Sequence, residues 1–151
     1  VNRELYKYAM KSPQVFIAGV MQGNLKKLAI HSQDYRRQIT AILQAIDTNT
    51  KVVDPDKTDP NRLNYNQAEA ERMFMKYCDI AGKVDLLIAF IPEASMGSAI
   101  EMWKAYQSGI PIITVSPLKN NWVVKILSKK IYTSIDMLSR DSMYIKSLLI
   151  K

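Results

Sequence analysis

Asp85-Leu86-Leu87-Ile88-Ala89-Phe90-Ile91-Pro92, followed by Glu93-Ala94-Ser95-Met96-Gly97-Ser98-Ala99-Ile100-Glu101-Met102-Trp103, is the stretch on which the fold turns. From Leu86 to Ile91 the residues are apolar without a break. A strand with one wet face alternates apolar and polar residues. A strand covered on both faces does not, and parallel sheets under helices supply such strands. Pro92 ends the run. A loop, Glu93 to Met96, then leads into a helix expected from about Gly97 to Gln107.

Outward from this stretch the same grammar repeats. Val15-Phe16-Ile17-Ala18-Gly19-Val20 reads as a buried first strand, followed by a loop from Met21 to about Leu28. Tyr35, Ile39, Ile42, Leu43 and Ile46 recur at helical spacing and predict a helix from about Ser32 to Asp47. Lys51-Val52-Val53 is a short second strand. Residues 54–64, rich in Asp, Pro and Asn, read as a loop. Asn66 and Glu69 have the spacing of a helix-starting capping pair. Met73, Phe74, Tyr77 and Ile80 form the buried stripe of that helix, and Gly82 stops it.

Gly109 closes the helix that carries Glu101, and Pro111 to Val115 is the next strand. A helix is expected over Trp122 to Lys130, a short edge strand over Ile131 to Thr133, and a last helix from about Ile135 to Leu149, capped by Ser134. A short helix is also expected over residues 1–12. Strands alternating with helices predict an α/β doubly wound domain of roughly five parallel strands spanning residues 1–151. Ligands in such sheets sit beyond the carboxyl ends of the strands, where strand order reverses. Two loops should face that place: Gly19 to Asn24, with Gln22 and Gly23, and Pro92 to Gly97, with Ser95.

Composition narrows the chemistry. The 151 residues are 48% hydrophobic and 23% charged, an ordinary globular balance. One cysteine, Cys78, excludes an intrachain disulfide. One histidine, His31, and no Cys/His spacing leave no zinc motif, so neither a metal nor a cofactor is expected. No apolar run approaches the roughly 18 residues of a membrane span. No leader-like pattern opens the sequence, and the protein is expected in the cytoplasm. The net charge of +7 fits a solvated lysine-rich surface or an anionic small partner. No nucleic-acid-binding motif accompanies it, so a nucleic-acid polymer is not the expected partner. Walker A, G-x-G-x-x-G and G-x-S-x-G motifs are all absent.

The loop from Pro92 to Gly97 is small and polar, and a helix starts behind it. Backbone amides and the helix dipole there favour an anion. Glu101 is placed by this reading in the first turn of that helix. The plainer alternative for Ser98-x-x-Glu101 is a capping box, with the glutamate bonded back to its own N-cap amide. For Ser95 the plainer role is a turn residue, and for Asp85 a polar strand start.

Taken together, Asp85 before Leu86-Leu87-Ile88-Ala89-Phe90, then Ser95-Met96-Gly97, Glu101-Met102-Trp103 and Gly109-Ile110-Pro111, resembles the nucleoside 2-deoxyribosyltransferase superfamily. Phe16-Ile17-Ala18-Gly19 is similar to its first strand and glycine loop. The resemblance covers about residues 14–130. It implies N-glycosidic chemistry on a nucleoside or nucleotide, with Glu101 as the nucleophile toward the sugar C1′ and Asp85 assisting the base. Ser95, where the transferases often carry an acid, is similar to the branch that hydrolyses nucleoside 5′-monophosphates, since a hydroxyl can bond a phosphate that a carboxylate would repel.

In that branch the serine matching Ser128 reaches the phosphate from a neighbouring subunit, which implies a homodimer. The sequence departs from the family at Gly19-Val20-Met21-Gln22-Gly23-Asn24, which lacks the usual arginine or aromatic residue, and at Met102-Trp103, which replaces a small Leu-Gly. A base-exchanging transferase and a non-catalytic nucleotide-binding module are the alternatives. Tyr65 and Asn64 are candidate pocket residues. Asp54 and Asp56 are candidate sugar ligands or turn formers. Trp122 reads as core or dimer interface, and His31 as a surface residue at a helix start.

Overall fold

A computed structural model describes residues 11–150. Five strands pair in parallel throughout, in the order β2-β1-β3-β4-β5. They are β1 (Gln14–Gly19), β2 (Lys51–Val53), β3 (Leu86–Phe90), β4 (Ile112–Val115) and β5 (Lys130–Tyr132). Among the described residues seven helices connect and cover them: α1 (Asp34–Ile46), α2 (Pro55–Thr58), α3 (Gln67–Ala81), α4 (Met96–Gln107), α5 (Trp122–Leu127), α6 (Ile135–Ser139) and α7 (Ser142–Leu149). None of the described helices is long and apolar enough to cross a membrane.

The unbroken apolar run of β3 is explained by the two cores it feeds. Leu87 and Ala89 face one side, with Phe16 and Ala18 of β1 and residues of α3, α4 and α5. Leu86 and Ile88 face the other, with Val15 and Ile17 of β1 and residues of α1, α6 and α7. Strand order reverses between β1 and β3. From β1 the chain crosses by α1 to β2 on one side, and from β3 by α4 to β4 on the other. Gly19 and Phe90 pair at the carboxyl ends of these two strands, so the loops that follow them flank the same crevice.

Several boundaries differ from expectation, each for a physical reason. The helix expected over residues 1–12 falls outside the described residues except for Lys11 and Ser12, which are not helical. The Asp/Pro/Asn segment contains the short helix α2 and a 3-10 turn at Arg62–Asn64. Asp54 caps α2 by accepting from the Asp56 amide, and Pro55 fits the first helical position. The helix expected to run to Lys130 ends at Leu127, since Lys129 donates its amide to Ile112 and the chain joins the sheet at Lys130. The last helix is two. Arg140 and Asp141 interrupt it, and the Asp141 carboxylate is bonded to Tyr132 (2.7 Å) and Lys130.

Candidate active site

A cleft of about 520 Å³ opens at the reversal point. Its wall is contributed by the loop after β1, the segment after β2, α3 and the start of α4. The expected residues Gly19, Gln22, Gly23, Ser95, Gly97 and Glu101 all line it. Asp85 and Ser128 do not.

Glu101 sits in the second turn of α4, not the first. The N-cap is Ser95, whose hydroxyl accepts from the Ser98 amide (3.5 Å) and shares a hydrogen bond with the Ser98 hydroxyl (3.0 Å). Counting from Met96, the capping-box position is therefore Ser98, and the capping alternative for Glu101 does not hold. No donor among the described residues lies within hydrogen-bonding distance of the Glu101 carboxylate. It is partly accessible through the cleft and otherwise enclosed by protein. Burial pushes its carboxyl up from 4.5 to about 7, while the charge of Arg36 pulls the other way.

Arg36 is the cation that sequence reasoning overlooked. It is 2% exposed and lines the cleft. Its Nη1 donates to the Ile17 carbonyl (2.7 Å) and to Asp54 (3.3 Å), and its Nε donates to Gln33 (2.8 Å). Nη2 has no acceptor among the described residues. A signal existed: Arg36 lies three residues before Ile39 and seven before Leu43, on the apolar stripe where a charge needs a reason.

The loop after β1 is held open by two glycines. A Cβ at Gly19 would lie 2.4 Å from the Tyr35 hydroxyl, and Tyr35 stacks on Phe90 with ring centroids 4.3 Å apart. Gly23 has φ +53°, and a Cβ there would meet Glu93 Oε1 at 2.1 Å. Glu93 in turn pairs with His31 (2.8 Å) and accepts from the Asn24 amide (3.2 Å), tying the two ligand-facing loops together. His31 lies just before α1, with its Nε2 2.8 Å from Glu93 Oε1, against this loop-to-loop tie.

The start of α4 leaves backbone donors uncommitted. The amides of Met96 and Gly97 have no acceptor among the described residues. A Cβ at Gly97 would find only the Phe74 ring, at 4.0 Å, so the space in front is open.

The segment after β2 supplies Asp59, Arg62 and Tyr65 to the cleft, and α3 supplies Phe74 and Tyr77. Asp59 accepts from Tyr65 (2.9 Å) and from Tyr77. Burial alone would raise its pKa, but the two hydroxyls and the nearby Lys76 and Arg62 charges hold it below the ordinary carboxylate value. Of the two candidate pocket residues there, Tyr65 lines the cleft and Asn64 does not. Asp54 and Asp56 are engaged by Arg36 and Arg62 and stay outside the lining.

Asp85 does not converge with Glu101. It precedes β3 at the amino edge of the sheet, and its carboxylate accepts from the Gln14 amide (2.9 Å). The five residues of β3 separate it from the carboxyl edge, about 16 Å of strand. Asp85 therefore cannot act on the same substrate atom. Ser128 is likewise away from the cleft, bonded to the buried Thr114 hydroxyl at 2.6 Å. Trp122 is 80% exposed, which removes it from the core.

No protein-family model matches the sequence, and no curated protein matches it. Solved structures do. A 2-deoxyribosyltransferase from Bacillus psychrosaccharolyticus superposes with TM-score 0.65 at 13% identity, covering 88% of this chain and 95% of that one. A conserved protein from Enterococcus faecalis V583 gives 0.64 at 15%, covering 89% and 99%. BlsM gives 0.65 at 14%, covering 91% of each chain. The class is thus an α/β doubly wound fold with a carboxylate-bearing cleft at its reversal point. More particularly, the fold is shared with a 2-deoxyribosyltransferase, in agreement with the resemblance carried by the β3–α4 motifs.

Proposed function

We propose that this protein is an enzyme that hydrolyses the N-glycosidic bond of a nucleoside 5′-monophosphate. The observation that carries the reading is Glu101: a carboxylate in a cleft, without a hydrogen-bond partner among the described residues, with its pKa raised to about 7. Holding an acid in that condition is costly, and such costs concentrate where a group must react.

In this reading the phosphate rests against the Met96 and Gly97 amides and the Ser95 hydroxyl at the start of α4, with Gly19, Gln22 and Gly23 closing over the sugar. The Glu101 carboxylate then lies beside C1′. It attacks as the C1′–N bond breaks, and the bonding pair leaves with the base nitrogen, which takes a proton from water. An oxocarbenium-like transition state is stabilised by the adjacent anion. Water next attacks C1′ and displaces the glutamate, which regenerates the carboxylate and frees the sugar phosphate. Asp85 is given no part in this, and neither is Ser128 of the same chain.

The test is incubation with a panel of ribo- and deoxyribonucleoside 5′-monophosphates, with free base measured by chromatography. Base release by the wild type, reduced at least 1,000-fold in Glu101→Ala, is expected. No release from any nucleotide would overturn the reading. An added acceptor base that ends up in a new nucleoside would favour the transferase alternative.

A homodimer is part of the same proposal. Ile100, Trp103 and Tyr106 are about half exposed along α4, and the two aromatic rings stack at 5.8 Å. Together they form an apolar stripe suited to a second copy.

A further inference from the structure

We infer that the end of the cleft built by Asp59, Tyr65 and Tyr77 selects nucleobases that carry an exocyclic amino group over their oxo counterparts. The inference rests on the N-glycosidase reading for the identity of the ligand and deepens it by naming the base class.

The first ground is the hydrogen-bond inventory. Both hydroxyl protons are committed to Asp59: Tyr65 donates to Oδ1 at 2.9 Å and Tyr77 donates to Oδ2. Each carboxylate oxygen keeps a free lone pair, and the phenol oxygens, their protons spent, can only accept. Arg62 does not reverse this balance. Its guanidinium donates to the Asp59 carbonyl (2.9 Å) and pairs with the Asp56 carboxylate, and its Nε, though without an acceptor among the described residues, is buried out of a ligand's reach, so Arg62 acts on the Asp59 side chain by charge alone. The nearest cation to that side chain is Lys76, at 3.9 Å and itself half exposed. At the Asp59 carboxylate and the two phenols, the hydrogen-bonding capacity left over is therefore that of acceptors.

The second ground is that the anion persists. Asp59 is only 13% exposed, yet its two tyrosyl donors favour the charged form. A ligand group meeting it must therefore bring N–H. An amino group brings two. A carbonyl oxygen in the same place would face a carboxylate and two acceptors with nothing to bond, and a site built for a donor rejects an analogue that lacks one.

The third ground is placement. Asp59 follows β2 and Glu101 follows β3, with β1 between them. β2 and β3 lie two strand spacings apart, about 10 Å, and Asp59 and Glu101, which arrive from beyond their carboxyl ends, both line the cleft. With the sugar at Glu101, the base extends toward the Asp59 side, where Leu63 supplies apolar surface for its ring.

The experiment compares pairs that differ by amino against oxo, dCMP with dUMP and AMP with IMP. In each pair kcat/KM for base release is expected to favour the amino member at least tenfold. Asp59→Asn presents both an amide donor and an acceptor, and is expected to narrow or invert the ratio. Because that variant removes a fold contact as well, the same four nucleotides are also scored by thermal stabilisation of Glu101→Gln, which binds without turnover. There the amino members are expected to give the larger shift.

Base release at equal kcat/KM within both pairs would overturn the inference while leaving the N-glycosidase reading intact. No release from any nucleotide would overturn that reading instead. The stabilisation data then decide this inference alone: larger shifts with the amino members sustain it, and equal or absent shifts overturn it.

Discussion

At the scale of the residue, Glu101 is where stability and chemistry oppose each other. The nucleophile must be the anion, and burial raises its pKa to about 7. The rate constant kcat/KM should therefore climb from the acid side with a limb near pH 7 and level off above it. A limb near the ordinary 4.5 would show that the carboxylate is solvated in the working enzyme.

The same shift has a thermodynamic sign. Between pH 4.5 and 7 the folded state binds a proton that the unfolded chain does not, so stability falls as pH rises through that window. Each decade of pH in the window is worth about 1.4 kcal/mol, which allows on the order of 2–3 kcal/mol after discounting for water in the cleft. Glu101→Gln should be more stable than the wild type by that amount at pH 8 and by little at pH 4.5. Urea titrations at the two pH values measure it, and equal stability at pH 8 would contradict the account.

At the scale of the element, β3 joins a structural end to a functional one. Asp85 at its amino edge ties the start of β3 to the start of β1 through the Gln14 amide. Removing a charged acceptor from that bond costs about 1–3 kcal/mol. Asp85→Ala should lose that much in chemical denaturation while kcat/KM stays within twofold. A drop of 100-fold in a variant that still folds would restore Asp85 to the chemistry.

The strands were legible in the sequence because burial on both faces leaves an unbroken apolar run, as in Leu86 to Ile91. The capping pair Asn66–Glu69 was legible because both partners lie within one turn, and the structure forms both of its bonds. Contacts between distant residues were not. The break between α6 and α7 depends on Asp141 meeting Lys130 and Tyr132, and nothing near Asp141 in sequence announces them. The placement of Glu101 went astray by one turn because Ser95 and Ser98 are equally good N-caps locally, and the loop from β3 favours the earlier one. The loops after β1 and β3 could be assigned to the cleft from topology alone. Arg36, Asp59 and Arg62 could not, since they arrive from α1 and from the segment after β2, a part of the chain that read as loop.

At the scale of the whole molecule, the apolar stripe along α4 is one feature that a lone chain leaves uncovered. Ile100, Trp103 and Tyr106 lie on the face of α4 turned away from the sheet. A homodimer that buries them is expected in sedimentation equilibrium at micromolar concentration, and Trp103→Asp should shift it to monomer. A wild-type monomer at such concentrations would remove the dimer from the proposal without touching the cleft, because Glu101, Ser95 and Gly97 all come from one chain. The net charge of +7 acts at this scale as well, raising the local concentration of anionic nucleotides in a salt-dependent way.

The central claim is a covalent bond between Glu101 and the sugar. Intact-protein mass spectrometry, after acid quenching of the wild type during turnover of a nucleoside 5′-monophosphate, tests it most directly. The account predicts a mass gain of one sugar phosphate, mapped by peptide digestion to Glu101 and absent in Glu101→Gln. Base release that proceeds at the wild-type rate in Glu101→Gln, or an adduct mapped to another residue, would contradict it.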